Sequence, residues 1–482
     1  MLRKDFAYKG LMRFFEEISA IPRPSFHEER IADYLCDFAR DRGLEYYRDE
    51  IHNVFIKKNG SEGRENEPAL LLQGHTDMVC EKNEGTVHDF MTDGLKLYEE
   101  NGSLRAEGTT LGADNGVAVA VMLYILDGAE GNISSHPPIE CLFTVSEEVG
   151  LEGANGFDYD KISARRMINM DSADESLIIA GCAGGQRTNL IFTPDTESSS
   201  AEGVLIRVKG LAGGHSGEDI EKGRANANKL IGRVLLTLSQ KYDIRIASIK
   251  GGSKDNAIPR EAQTLICTST PDAVIAEVAE LAEVICRELG SDDAGFSMTA
   301  VSTNAPDVVM TKEAGEKIVF LIVTAQNGIF EMHKSIKGLV EFSRNLGVIE
   351  TAEDLSKVKM TFNSRSPRNS QMEYSVEQLE AYARLLGAQV ESGNWYPGWE
   401  YADVSPLRDA YAECYRQVFG KEVSITTIHA GLECGIIKQR VPEMDIISCG
   451  PIVLDLHSPE ESMDIASFER FFTVIKTLLP TL

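Results

Sequence analysis

Three apolar runs in this chain end in residues suited to holding a metal ion: Leu70-Leu-Leu-Gln-Gly-His75-Thr-Asp77, Cys141-Leu-Phe-Thr-Val-Ser-Glu147-Glu148 and Met167-Ile-Asn-Met-Asp171. Imidazole and carboxylate groups delivered from several strand ends to one crevice are how a soluble α/β enzyme builds a zinc site. His75 and Asp77 flank a single residue, so on a strand their side chains point to one side of the pleat and reach one pocket. Glu147 and Glu148 place two like charges at a sheet end, which costs energy unless a cation sits nearby. On a strand these two diverge, one taking metal while the other faces substrate as a general base.

Two more residues extend the set. Asp114, in Leu111-Gly-Ala-Asp114-Asn-Gly116, lies where an apolar helix begins. It is either that helix's cap or a carboxylate bridging two metals about 3.5–4 Å apart. His457 follows the run Pro451-Ile-Val-Leu-Asp-Leu456. Each residue alone has a plain explanation as a cap, a turn or a strand end. Together His75, Asp114, Glu148, Asp171 and His457 make five ligands. With one carboxylate shared, each of two zinc ions gains three protein contacts, and a common water or hydroxide completes a tetrahedral set. Asp77 and Glu147 remain as spare acids beside two of the ligands.

The elements that must position these groups read as an α/β fold. Two amphipathic helices, about 8–19 and 26–42, are separated by the breaker Ile21-Pro22-Arg23-Pro24-Ser25. Short apolar strands at 69–73, 140–145 and 166–170, with an apolar helix at 117–126, give the pattern of a mostly parallel sheet covered by helices. Beyond Gly181-Cys-Ala-Gly-Gly-Gln186 the style changes to α+β, with strands at 203–209, 261–269 and 357–364 and helices at 225–240, 273–289, 336–345 and 375–387. Helices at 405–418 and 432–440 and a strand from Met444 return to the first style. The expectation is a discontinuous domain, 1–185 with 400–482, interrupted by an inserted one at 186–399; a chain of 482 residues suits two domains at roughly 100–200 residues each as a soft prior.

Composition narrows the function classes. With 48 basic against 75 acidic residues the net charge is −27, a field that repels phosphate backbones and anionic membrane surfaces, so neither nucleic acid nor membrane is an expected partner. The longest apolar run, Val117–Leu126, is far short of the ~20 residues of a membrane span. Met1-Leu-Arg-Lys-Asp-Phe6 leads into charged helix and not into a signal peptide's apolar stretch. Nine cysteines without a C-x-x-C pair fit a reduced, cytoplasmic protein.

At these residues the chain resembles the M20 metallopeptidases, most closely their aminoacyl-histidine (Xaa-His) or cytosol non-specific dipeptidase branch, over nearly its whole length. The motifs are Gly74-His75-Thr-Asp77-Met-Val, Leu111-Gly-Ala-Asp114-Asn-Gly, Ser146-Glu147-Glu148-Val-Gly, Asn169-Met-Asp171-Ser, Gly213-Gly-His215-Ser-Gly and His429-Ala-Gly-Leu-Glu433-Cys-Gly. The resemblance implies a di-zinc catalytic domain and an inserted lid and dimerisation domain. It implies one zinc on His75, Asp114 and Asp171, and the other on Asp114, Glu148 and His457. Asp77 would orient His75, and Glu147 would be the base that takes a proton from the bridging water and passes it to the leaving amine. His215 would stabilise the oxyanion, and the resemblance leaves open whether it acts within its own chain or across to a partner subunit. Asn256 and Arg365 look like the substrate-binding pair, Arg365 suiting a terminal carboxylate through its planar fork, with Arg368 close enough to compete for that role. The 429–437 segment either presents backbone N–H groups to the substrate terminus or, through His429 and Glu433, only shapes its loop.

The leading expectation is a homodimeric di-zinc dipeptidase of unblocked dipeptides, including Xaa-His dipeptides such as β-alanyl-histidine, with cobalt or manganese as alternative metals. An amidohydrolase acting on N-acyl amino acids would keep the metal site and change the pocket. A catalytically silent metal- or peptide-binding protein has no use for Glu147.

Overall fold

A computed structural model describes residues 6–128, 133, 135–304, 306–334 and 336–482. Met1–Asp5, on which part of the leader expectation rests, lie outside them. The chain divides into two compact units. One comprises Met1–Cys182, Trp399–Thr427 and Leu432–Leu482; the other comprises Ala183–Gly398 and Ile428–Gly431.

The first unit is built on an eight-stranded sheet in the order Glu45–Arg48, Val54–Lys58, Ile139–Thr144, Leu70–His75, Arg166–Asn169, Asp445–Ser448, Leu177–Cys182, Ser424–Ile428. The four strands from Ile139–Thr144 to Asp445–Ser448 run parallel, while Glu45–Arg48, Val54–Lys58 and Leu177–Cys182 pair antiparallel. The Leu70–His75 and Ile139–Thr144 strands are buried at every residue, as expected of parallel strands covered on both faces. Helix Ala113–Asp127 is apolar all round and buried throughout from Asn115 to Leu126, which suits a helix enclosed on every side. It packs on the Leu70–His75 strand and on helix Lys9–Ser19. Gly74 permits that approach, because a Cβ there would stand 2.4 Å from the Cβ of Ala118. Helices Lys9–Ser19, Glu29–Asp41 and Ile465–Leu478 add Phe14, Phe15, Phe38, Phe468, Phe471 and Phe472 to the same core.

The second unit holds an antiparallel sheet in the order Ser297–Thr303, Glu202–Lys209, Ala262–Thr268, Ile244–Gly251, Val340–Thr351, Val358–Ser366, Gly184–Phe192, Gln389–Tyr396. Helices Ala227–Lys241, Pro271–Glu288, Lys312–Thr324 and Asn369–Leu386 accompany it. The helix expected at 336–345 is not formed. Gly338 turns the chain with φ +86°, and Val340–Thr351 is a buried strand whose Val340, Phe342 and Leu346 alternate into the interior at period two. Ile428–Gly431, expected with the first unit, groups with the second. The Ala183 N–H donates to the Ile428 carbonyl at 3.0 Å, and His429 Nε2 lies 2.7 Å from Ser343 Oγ. No helix among the described residues is long and apolar enough to cross a membrane.

Candidate active site

The ends of the first unit's parallel strands bring His75, Asp77, Asp114, Glu147, Glu148, Asp171 and His457 together. His75 Nε2 lies 2.9 Å from Asp114 Oδ1 and 3.6 Å from Asp171 Oδ1. The other oxygen of Asp114 is 3.2 Å from His457 Nε2, which also lies 3.2 Å from Glu148 Oε1. Among the described residues, His75–Asp114–Asp171, Asp114–Glu148–His457 and His75–Glu147–Glu148 each offer ligand atoms within 4.8 Å of one another. Asp114 thus turns one carboxylate oxygen to each of two imidazoles.

Local backbone explains the convergence. His75 is the last residue of its strand, and the Thr76 N–H still donates to the Thr144 carbonyl of the neighbouring strand at 2.8 Å. The Asp77 carboxylate then ties three segments together: it lies 3.3 Å from His75 Nδ1, accepts the Ser25 hydroxyl at 2.8 Å, and accepts the N–H groups of Glu147 and Glu148 at 3.1 and 3.3 Å. Those glutamates do not continue the strand, which ends at Thr144; Ser146, at φ +51°, turns the chain so that both head toward the cluster. Asp114 has extended dihedrals (φ −82°, ψ 106°) inside the first turn of its helix, so its carboxylate is free of a capping role. His457 sits in a loop at φ +60° with its side chain 49% exposed, the open side of an otherwise buried cluster.

The electrostatics are those of a cation site. Burial alone would lower the His75 pKa, yet Asp114, Asp171 and Asp77 hold it well above the usual imidazole value. Hydrogen bonds to Asp114 and Glu148 raise His457 to about 10. Burial pushes Glu147 and Asp171 up, with neighbouring carboxylates adding to the effect. Glu148 Oε1 is buried, with the His457 imidazole 3.2 Å away. So many acids around two imidazoles favour positive charge, and a divalent cation satisfies that demand better than a proton.

In the second unit Arg365 lies against both His215 and Tyr396, and the Asn256 segment runs beside His215. Gly213 and Gly214, both at positive φ, let the chain bend into Gly214–His215, which pairs with Ala257–Ile258. The Ser216 N–H donates to the Asn256 carbonyl at 2.8 Å. His215 Nδ1 accepts the Glu218 N–H at 3.2 Å, which leaves the neutral ring's proton on Nε2. That nitrogen faces Arg365 Nη2 at 3.3 Å, donor to donor. Burial and the guanidinium both lower the His215 pKa. Arg365 is buried and donates to the Tyr396 hydroxyl at 2.9 Å, whereas Arg368 is half-exposed and pairs with Glu341 at 3.0 Å. His429 is buried against Ser343, and Glu433 directs its carboxylate inward to Gln73 Nε2 (2.5 Å) and Thr144 Oγ1 (2.8 Å). Burial pushes Glu433 up to about 7.

Sequence reasoning passed over Tyr396. Its ring fills a slot that side chains at Gly185 and Gly431 would block, since a Cβ at either would come within 2.4 or 2.6 Å of it. The glycines in Ala183-Gly-Gly-Gln186 and His429-Ala-Gly431 were the available signal. Arg23 and Glu461, which hold the backbone beside His75 and Asp114, were also missed.

Comparison with known proteins bears on the family and the fold. The sequence profile of peptidase family M20/M25/M40 matches residues 71–481. The chain is 36% identical over 473 residues to the cytosol non-specific dipeptidase of Escherichia coli strain K12, covering 97% of this chain and 96% of that protein. It superimposes on the aminoacylhistidine dipeptidase of Vibrio alginolyticus with a TM-score of 0.90 at 36% identity, over 99% of this chain and 97% of the other. Aminopeptidase PepT of Bacillus cereus shares the fold at a TM-score of 0.58 and 16% identity, over 98% of each chain. The chain belongs to peptidase family M20/M25/M40.

Proposed function

We propose that this peptidase is a two-metal dipeptidase cleaving unblocked dipeptides, including those with C-terminal histidine such as β-alanyl-histidine. The observation that carries the reading is the Asp114 carboxylate, turned with one oxygen toward His75 and the other toward His457. His75, Asp114 and Asp171 would hold one divalent cation, and Asp114, Glu148 and His457 the other. This donor set suits zinc, and also cobalt or manganese. When bound, the two ions polarise the scissile carbonyl and bring the pKa of water down toward about 7.

The chain's own residues do the rest. Asp77 fixes the ring of His75 from the Nδ1 side. Glu147 takes a proton from the attacking water at its carboxylate and returns it to the leaving amine nitrogen. In the second unit, His215 Nε2–H serves the developing oxyanion, and Arg365 with Asn256 binds substrate, the guanidinium taking the terminal carboxylate. Two donors facing each other without an acceptor between them support this assignment, because each is left needing an oxygen that substrate can bring. The names of the Escherichia coli and Vibrio alginolyticus relatives support a dipeptide substrate. The nine free cysteines suit a cytoplasmic setting.

Metal analysis of the purified protein, with a panel of free dipeptides and N-acyl amino acids assayed before and after chelation, tests the reading. Two divalent ions per chain and dipeptide hydrolysis that disappears with chelator and returns with metal are expected. Preferential cleavage of N-acyl amino acids would move the assignment to an amidohydrolase.

A further inference from the structure

Two buried, charged side chains outside the cluster grip the backbone that carries it. Arg23, 2% exposed, lies between helices Lys9–Ser19 and Glu29–Asp41. Its Nη1 donates to the carbonyls of Thr76 (2.9 Å) and Asp77 (3.2 Å), and its Nη2 to that of Gly112 (2.6 Å). Glu461, also 2% exposed, receives four consecutive backbone N–H groups. Its Oε2 accepts from Leu111 (2.8 Å) and Gly112 (2.9 Å), and its Oε1 from Ala113 (2.8 Å) and Asp114 (3.3 Å).

All seven of these bonds end on two short segments, 76–77 and 111–114, which adjoin or include His75, Asp77 and Asp114. Hydrogen bonds to a charged partner are stronger than neutral ones, and a guanidinium fork fixes direction as well as distance. Buried charges are a poor way to gain stability compared with apolar packing, so the placement of these two calls for another reason. Holding Asp114 against His75 supplies one: the five carboxylates gathered around the two imidazoles repel one another until a cation neutralises them.

We propose that Arg23 and Glu461 are positioning residues that preset the Asp114 carboxylate against His75, so that the metal-binding geometry exists before any ion arrives. The inference rests on reading the cluster as a two-metal centre. Glu461→Gln keeps the shape but turns an NH2 group toward N–H donors. Arg23→Lys keeps the charge but cannot span three carbonyls on two segments. The pair Arg23→Met with Glu461→Gln removes both charges together, so neither is left buried alone.

The test is Zn2+ affinity, measured by competition with a chromogenic chelator, alongside thermal unfolding of each metal-free protein. The expected result is a folded metal-free variant whose Zn2+ dissociation constant rises about 10–100-fold, the range typical when a partner behind a ligand is lost, with kcat recovering at excess Zn2+. A folded variant that binds Zn2+ as tightly as the parent overturns the inference. So does unfolding of all three metal-free variants, which would make the pair a fold support. A parent protein that binds no Zn2+ would instead overturn the metal-centre reading itself.

Discussion

Glu147 is surrounded by negative charge. Burial raises its carboxyl well above the usual range, with Asp171, Glu433 and Glu148 adding to that rise against the opposing pull of His75. It also lies close enough to His75 and Glu148 to act as a ligand in its own right, so geometry alone allows two roles for it. The role proposed above separates them. Glu147→Ala is expected to retain both metal ions by elemental analysis while losing about 10²–10⁴-fold in kcat, the usual contribution of a positioned general base. Loss of one ion in that variant would make Glu147 a ligand. At this scale the sequence was most informative where a residue type announces its chemistry, as with the acid pair Glu147–Glu148. It was silent where the chemistry lies in a bond to backbone. Arg23 reaches a carbonyl 89 residues away and Glu461 an N–H 350 residues away, and no local pattern marks either.

The packing of helix Ala113–Asp127 on the Leu70–His75 strand sets where two of the cluster's segments start. Gly74 is the contact point, one residue before His75 and directly under Ala118. Gly74→Ala inserts a methyl group into closed space, for which overpacking costs about 1–3 kcal/mol. A lower urea midpoint with weakened metal binding is the expected outcome, and unchanged stability would mean that the helix shifts freely. Elements of this kind were legible because burial on both faces leaves an unbroken apolar run, as in Leu70-Leu-Leu. The Val340–Thr351 strand was not: its alternation is broken by Arg344, whose buried guanidinium bonds to Ser375, so the period-two signal is shorter than the strand.

For the whole molecule, the contact between His215 and Arg365 within one chain bears on how subunits of the expected homodimer would share work. If the pair acts as a unit, mixing His215→Ala with Arg365→Ala protein recovers no activity, since no chain then carries both groups. Recovery on mixing, assayed after subunit exchange, would show that His215 serves the Arg365 of another subunit. Sedimentation of the same mixture establishes whether dimers are present.

The first unit takes Asp445–Ser448 into the middle of its sheet, beside Arg166–Asn169. A nascent chain folds largely in the order in which it is made. Nearly all of the second unit is one continuous stretch, Ala183–Gly398, and it leaves the ribosome whole while the first unit still waits with Arg166–Asn169 as an unpaired edge, a template for wrong pairing. That edge is covered only when Asp445–Ser448 emerges, and His457 is the last of the cluster to be synthesised. The molecule therefore acquires the means of its chemistry only after the continuous stretch of its second unit has been made.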